Sequence, residues 1–274
     1  EALKARVYLE MEDYQNAAAA AQGLINSKRY TLISDGDAYK KMWLNDVGTE
    51  AIWQFAMSKT ETGSNALGSS FMGIVDKLPR PSYLPVKSVL NLYDKENDIR
   101  YDAYFTTGLI DRQVGDDIEV TYCSKWPGNP ELYEGKSNNV NKLKAFRISE
   151  MYLIAAEAYA MLNQEDKASE MLNELKKIRI KGWTETVYNG AALMQEIQDE
   201  RVRELFAEGN RLFDMKRWKI GMKRSSSDAQ RDDYLPALGT DIEKEATDNR
   251  WVWPIPKDEM DSNPQLKGQQ NPGY

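Results

Sequence analysis

Three carboxylates, Glu200, Glu204 and Glu208, lie one helical turn apart in the sequence. That spacing puts acids on one helix face, where they could hold a metal ion or share acid–base work. Arg201, Arg203 and Arg211 are threaded among them. Such alternation is the pattern of ion pairs along a solvated helix, so the expectation is a salt-linked surface rather than a catalytic cluster. Asp94 and Asp98 form a further acidic pair. A glycoside hydrolase would need two carboxyls facing each other across a cleft, at about 5–5.5 Å for retention or about 6.5–9.5 Å for inversion. Nothing in the sequence favours that over surface solvation. Histidine is absent from all 274 residues. No Ser-His-Asp or Cys-His pair can be assembled, and the commonest metal ligand and neutral-pH proton shuttle are missing. The single cysteine, Cys123, excludes an internal disulfide and a thiolate zinc cluster, and leaves the redox compartment open. Paired carboxylates still suffice for glycosidic bonds, so an enzyme is not excluded, but the missing histidine counts against one, and no cofactor or metal is expected.

The elements that must position any binding side chain read as helical. A chain of 31.4 kDa with 41% apolar residues can bury a substantial core. Its net charge of −7 argues against a nucleic-acid partner, which would be gripped by clustered Lys and Arg. No apolar run approaches the roughly 18 residues of a membrane span. The first residues, "EALKARVYLEMEDY", begin inside an apolar-periodic helix with no initiating Met, N-cap or signal peptide. The expectation is that sequence lies upstream, including any targeting signal or lipid anchor.

A repeat is visible within the chain. "ALKARVYLEMEDYQNAAAAAQGLI" and "YLIAAEAYAMLNQEDKASEMLNEL" superimpose without gaps, with Ala5, Tyr8 and Ala17 falling on Ala156, Tyr159 and Ala168. Small residues at the alanine positions let two antiparallel helices approach while the tyrosine fills the space between them. Both segments read as helix hairpins of tetratricopeptide type, at 1–29 and 147–182. A third helical block covers 191–222, with Val202, Leu205, Phe206, Gly209 and Phe213 on one face. Between the hairpins, residues 30–146 lose helical periodicity. "EAIWQFAMS" alternates as a short strand, and the rest is rich in turns. Such an insertion on a helical scaffold is where binding resides. The last segment, 250–274, carries prolines and lone aromatics and fits neither a helix nor a disordered leash. The fold class expected is all-α, with tetratricopeptide-like helix hairpins in a superhelical scaffold and a large loop-rich insertion, and the length suits one large domain or two small ones.

Three segments, "FRISEMYLIAAEAYAMLN", "ERVRELFAEGNRLFDMKRW" and "WVWPIPKDEMDSNPQLKGQQNPGY", in that order, resemble the signature segments of the SusD/RagB family of nutrient-binding lipoproteins of Bacteroidetes. "EAIWQF" and "YLPVKSVLNLYDKENDIRYDAYF" resemble that family's middle region, and what is lacking is its amino-terminal portion with the lipoprotein cysteine. The resemblance implies non-catalytic capture of oligosaccharides at the outer membrane, where the protein is lipid-anchored and surface-exposed, and delivery to a TonB-dependent, SusC-like transporter toward which the helical repeats face. It places ligand contacts in the loop from Ser58 to Tyr83, where Asn65, Phe71, Arg80 and Tyr83 can stack a sugar ring or bond its hydroxyls. Trp126 and Asn129, near Tyr133, offer a second aromatic and amide patch. It also implies a single domain whose tail, 250–274, wraps over the scaffold as an extended carboxy-terminal strap, with Trp251, Trp253 and Tyr274 clamped in apolar grooves. The competing reading is a helical-repeat adaptor that binds protein and has no glycan affinity; two clear repeats are fewer than such solenoids use.

Overall fold

The computed structural model describes residues 1–60, 67–75, 77–112, 115–133, 139–225, 227–230 and 243–274. The chain divides into two compact units, Glu1–Gly209 and Asn210–Tyr274. The helical block expected at 191–222 is thus two helices in different units, Gly190–Glu204 and Arg211–Arg217, separated by a turn in which Ala207 and Gly209 take left-handed φ of 57° and 83°.

The first unit is built on two hairpins that are distant in sequence and adjacent in space. Helices α1 (Ala2–Glu10) and α2 (Tyr14–Asn26) form the first; α7 (Ile148–Met161) and α8 (Glu165–Arg179) form the second. Packing runs α1, α2, α7, α8, with α9 (Gly190–Glu204) against α7 and α8. Ala5, Ala17, Ala156 and Ala168 are fully buried, so the small positions of the repeat are where backbones meet. Asp13 caps α2 by accepting from the Asn16 amide.

The insertion leaves and re-enters this stack through a two-stranded ladder. Strand β1 (Ala51–Gln54) pairs antiparallel with β6 (Lys144–Arg147). Before the ladder comes α3 (Gly36–Leu44), and between its strands come α4 (Ser69–Met72), the hairpin of β2 (Ile74–Val75) and β3 (Leu78–Pro79), α5 (Lys87–Leu90), α6 (Ile99–Tyr104), and the hairpin of β4 (Phe105–Ile110) and β5 (Ile118–Cys123). Its core is aromatic. Trp43 makes edge contacts with Tyr39, Tyr104 and Trp126, at centroid distances of 6.3, 5.8 and 5.1 Å.

Where the aromatic core meets the helical stack, the expected surface ladder is found buried. Glu200 and Glu204 are 0% exposed. Glu204 Oε1 accepts from Arg147 Nη1 at 2.8 Å and Arg179 Nη2 at 2.9 Å, and its Oε2 accepts from Arg100 Nη1 and Arg179 Nε, both at 3.0 Å. Glu50 accepts from Arg147 and Arg179, Glu208 from Arg147 and Lys125, and Glu200 from Arg100 and Arg203. Glu200 and Glu204 lie one turn apart at the end of α9, and through Glu204 that helix end reaches the insertion by Arg100, the ladder by Arg147 and the second hairpin by Arg179, while Glu208 lies past the helix. The turn spacing on α9 puts the acids on one face as expected, but that face is inward. Burial is tolerable because every charge meets opposite charges and hydrogen bonds at once.

The second unit comprises α10 (Arg211–Arg217), the short ladder of β7 (Met222–Lys223) with β8 (Glu243–Lys244), and α11 (Lys257–Ser262). Polar groups hold its last residues. Gln270 bonds Ile255 in both directions, donating Nε2–H to its carbonyl at 3.1 Å and accepting from its amide at 2.8 Å. Tyr274 donates to the Val252 carbonyl at 3.0 Å, and Trp251 Nε1 to the Glu245 carbonyl at 2.7 Å. The expectation that Trp253 and Tyr274 are clamped in apolar grooves is corrected: they are 77% and 54% exposed. Amide and carbonyl bonds fix the path of the tail, so its rings need no groove.

Candidate functional site

The segment from Leu67 to Tyr83 is fastened at several points to the elements around it. Gly68 is packed so tightly that a Cβ would lie 2.0 Å from the Trp126 carbonyl oxygen, which restricts the position to glycine. Phe71 closes α4 by donating its amide to Gly68 O at 3.0 Å, and Ser82 donates to Ser70 O at 2.9 Å. Arg80 donates its amide to Gly73 O at 2.6 Å, while its guanidinium grips the Asp111 carboxylate through Nε and Nη2. Asp111 in turn donates its amide to Pro79 O at 2.9 Å. The β2–β3 hairpin is thus tied to the end of β4.

On this mount Tyr83 is 66% exposed, and Phe71 lies behind it at a centroid distance of 6.3 Å and an angle of 53°. Phe71 is half-buried against the aromatic core. The structure therefore brings Phe71, Arg80 and Tyr83 onto one short segment: a braced ring, an exposed ring, and a guanidinium with 31% of its side chain exposed. Asn65 lies outside the described residues.

The second patch takes a different place. Trp126 is 2% exposed, packs edge-on against Trp43 and donates Nε1–H to the Ala207 carbonyl at 3.1 Å. Asn129 is 1% exposed, donates to Asn45 O at 3.1 Å and Asp46 Oδ2 at 2.9 Å, and accepts the Glu131 amide at 2.9 Å. Neither presents a face to a ligand. Both close the interior of the insertion, Asn129 by capping the short 3-10 turn Pro130–Leu132. Expecting ligand contacts there is corrected: the turn-rich sequence around them marks a buried connection.

Trp53 and Phe55 form an exposed aromatic pair that sequence reasoning passes over. They are 51% and 44% exposed, with centroids 4.7 Å apart. Phe146, the register partner of Trp53 across the ladder, stacks at 26° on one side, and the Arg6 guanidinium lies 4.2 Å from the Phe146 centroid. The signal was available: residues two apart in a strand share a face, and "WQF" puts two rings there.

The acids weighed as catalytic do not form a cleft pair. Asp98 is buried in a bidentate bond with Arg100, with contacts of 2.9 and 2.7 Å. Asp94 is exposed and its carboxyl is held below the usual range by the Asn97 side chain, which donates to it at 2.9 Å. Burial would raise the pKa of Glu204, but Arg179 and Arg147 outweigh it and keep the carboxyl well below the ordinary value. It is a fixed anion with no proton to trade near neutrality. Burial pushes Lys125 down to about 8; its ammonium lies 3.9 Å from the Tyr104 centroid and 4.2 Å from that of Trp43.

Comparison with known proteins agrees with the pattern of signature segments. The SusD-like protein P38 of Formosa agariphila is 25% identical over 97% of this chain, and 58% of that relative is covered. A SusD superfamily protein of Bacteroides thetaiotaomicron superimposes with a TM-score of 0.77 at 27% identity, over 99% of this chain and 59% of that one. The surface glycan-binding protein A of Bacteroides fluxus shares the fold at 22% identity, with a TM-score of 0.67 over 99% of this chain and 61% of its own. This chain thus spans under two thirds of the length of each of these proteins. The model of the SusD family matches residues 107–274, more than half of the sequence, and the chain belongs to that family.

Proposed function

We propose that this protein captures oligosaccharides without cleaving them and delivers them to a SusC-like, TonB-dependent outer-membrane transporter. The observation that carries the reading is the mounting of Tyr83, an exposed ring braced by Phe71 on a segment fixed by Gly68 and by Arg80–Asp111. A sugar offers an apolar C–H face and a rim of hydroxyls. An exposed ring held still supplies stacking at little entropic cost, and a neighbouring guanidinium supplies hydrogen bonds. Family membership supports the same reading. The pair Trp53–Phe55 extends the aromatic surface available to a longer chain.

No proton transfer is required, which suits a sequence without histidine. Among the described residues no helix is long and apolar enough to cross a membrane; a surface-exposed position at the outer membrane would come from a lipid anchor upstream of this chain. The helical hairpins are the surface we assign to the transporter.

The test is a glycan array followed by calorimetry on the full-length protein. Binding that persists in chelator, yields no new reducing ends and weakens about tenfold or more in Tyr83→Ala supports the proposal; tenfold corresponds to about 1.4 kcal/mol. Release of reducing ends by purified protein would overturn it.

A further inference from the structure

A cleft of about 400 Å³ opens on the first unit between the turn preceding α6 and the loop joining α8 to α9. That volume lies within the roughly 300–1,000 Å³ of small-ligand sites. The two loops are stitched together: Lys181 donates its amide to Asn97 O at 3.0 Å, beside the antiparallel bridge between Asp98 and Ile180. The cleft is therefore preformed.

One wall is the indole of Trp183, which is half-buried. Its Nε1–H donates to Asn173 Oδ1 at 2.9 Å and the Lys176 ammonium lies 4.0 Å from its centroid, so the ring is locked in place. The floor is Glu196, which accepts from Lys176 Nζ at 2.5 Å and from Arg203 Nη2. The side chains of Lys176 and Glu196 are 5% and 19% exposed. On the rim stand Asp94 and Lys181, both exposed. The Glu96 and Asn97 amides and the Asn97 side chain all donate to Asp94, which fixes the direction of its carboxylate.

Acceptors on Asp94 and Glu196, a donor on Lys181 and an aromatic wall are the complement of a ring that carries hydroxyls around an apolar face. Both floor cations are bonded to Glu196, and Asp94 repels an incoming anion. We infer that the Trp183 cleft is a second saccharide-binding site, selective for a neutral pyranose over an anionic one. The inference rests on the proposed glycan function for the polymer that supplies this sugar, but uses none of the residues of the Tyr83 surface.

The test follows the indole N–H resonance of Trp183 in the nitrogen-15-labelled full-length protein, assigned through Trp183→Phe, during titration with methyl glucoside, galactoside, mannoside, xyloside and the matching methyl glucuronide. A saturable shift with at least one neutral glycoside, weakened about tenfold in Asp94→Asn, is the expected result. Asparagine preserves the turn that Asp94 caps, so loss of binding there reports the charge rather than unfolding. Glucuronide binding as tight as the neutral sugars would overturn the selectivity. A silent Trp183 alongside glycan binding that Tyr83→Ala weakens overturns the cleft and leaves the proposed function standing. A Trp183 shift in a protein whose affinity is unmoved by Tyr83→Ala does the reverse. No response to any glycan overturns both.

Discussion

The junction around Glu204 and the surface around Tyr83 are made from the same ingredients, arginines, carboxylates and aromatic rings, put to opposite uses. At the junction, Arg100, Arg147 and Arg179 converge on one carboxylate, and all four side chains are no more than 1% exposed. Rings pack around them: the Arg179 guanidinium lies 4.4 Å from the Tyr39 centroid. At the surface, Arg80 meets Asp111 at 31% and 18% exposure, and the Tyr83 ring, three residues along the chain, is 66% exposed. Where each charge serves several partners out of water, the ingredients join elements. Where one pair pins a short segment, they leave a ring available. What separates scaffold from recognition here is solvent access, not residue type.

Removing the central anion tests that contrast most severely. Glu204→Gln keeps the volume but leaves three buried guanidiniums short of charge, and should cost about 3–5 kcal/mol, read by denaturant unfolding. Arg80→Ala, at the part-exposed pair, should cost less, about 1 kcal/mol. Equal losses would break the comparison.

Titration sharpens it. The native Glu200, Glu204 and Glu208 carboxyls all titrate below their ordinary value of 4.5, because the arginines and Lys125 around them outweigh burial. As pH falls below about 4.5 the unfolded chain takes up protons that the native state refuses, so their stabilisation is present above that pH and lost below it. Lys125 has the same sign of dependence in an alkaline window. Held at about 8 against an ordinary 10.5, it releases its proton first in the native state, so between those values its contribution to stability rises with pH. Stability measured from pH 3 to 6 should fall steeply on the acid side, and less steeply in Glu204→Gln.

Gly68 probes the other half. A methyl group there would strike the Trp126 carbonyl, and backbone cannot move aside as a flexible side chain can. Gly68→Ala should cost about 1–3 kcal/mol through overpacking. It should also weaken glycan binding while touching no sugar, because the mount of Tyr83 shifts. Unchanged affinity, measured by calorimetry on folded variant, would mean that the mount is irrelevant to recognition.

The helical scaffold was legible because its signal is local and periodic: alanines at matched positions of two hairpins meet at the same kind of contact. The direction in which a charged helix face points was not. Glu200 and Glu204 look the same in sequence whether they face water or three arginines drawn from positions 100, 147 and 179, since ion pairing along the helix accounts for them equally well. Trp126 and Asn129 failed as site residues for a related reason. Turn-rich composition marks irregular backbone, but not whether that backbone is sealed by capping bonds. Phe71, Arg80 and Tyr83 fell together because they are neighbours along one short segment.

The smallest expected effect lies in the tail. An indole clamped in a groove would leave a cavity on truncation, at a cost of about 3–5 kcal/mol. Trp253 is 77% exposed, and the segment that carries it is held by backbone and amide bonds, including Asn271 Nδ2 to the Trp253 carbonyl at 2.5 Å. That bond survives any change of side chain at position 253. Trp253→Ala should therefore change stability by no more than about 0.5 kcal/mol, whereas Gln270→Ala, which removes both bonds to Ile255, should cost more. A large loss in Trp253→Ala with little in Gln270→Ala would mean that rings rather than amides hold the tail, and that burial at the junction is not the feature dividing scaffold from surface in this protein.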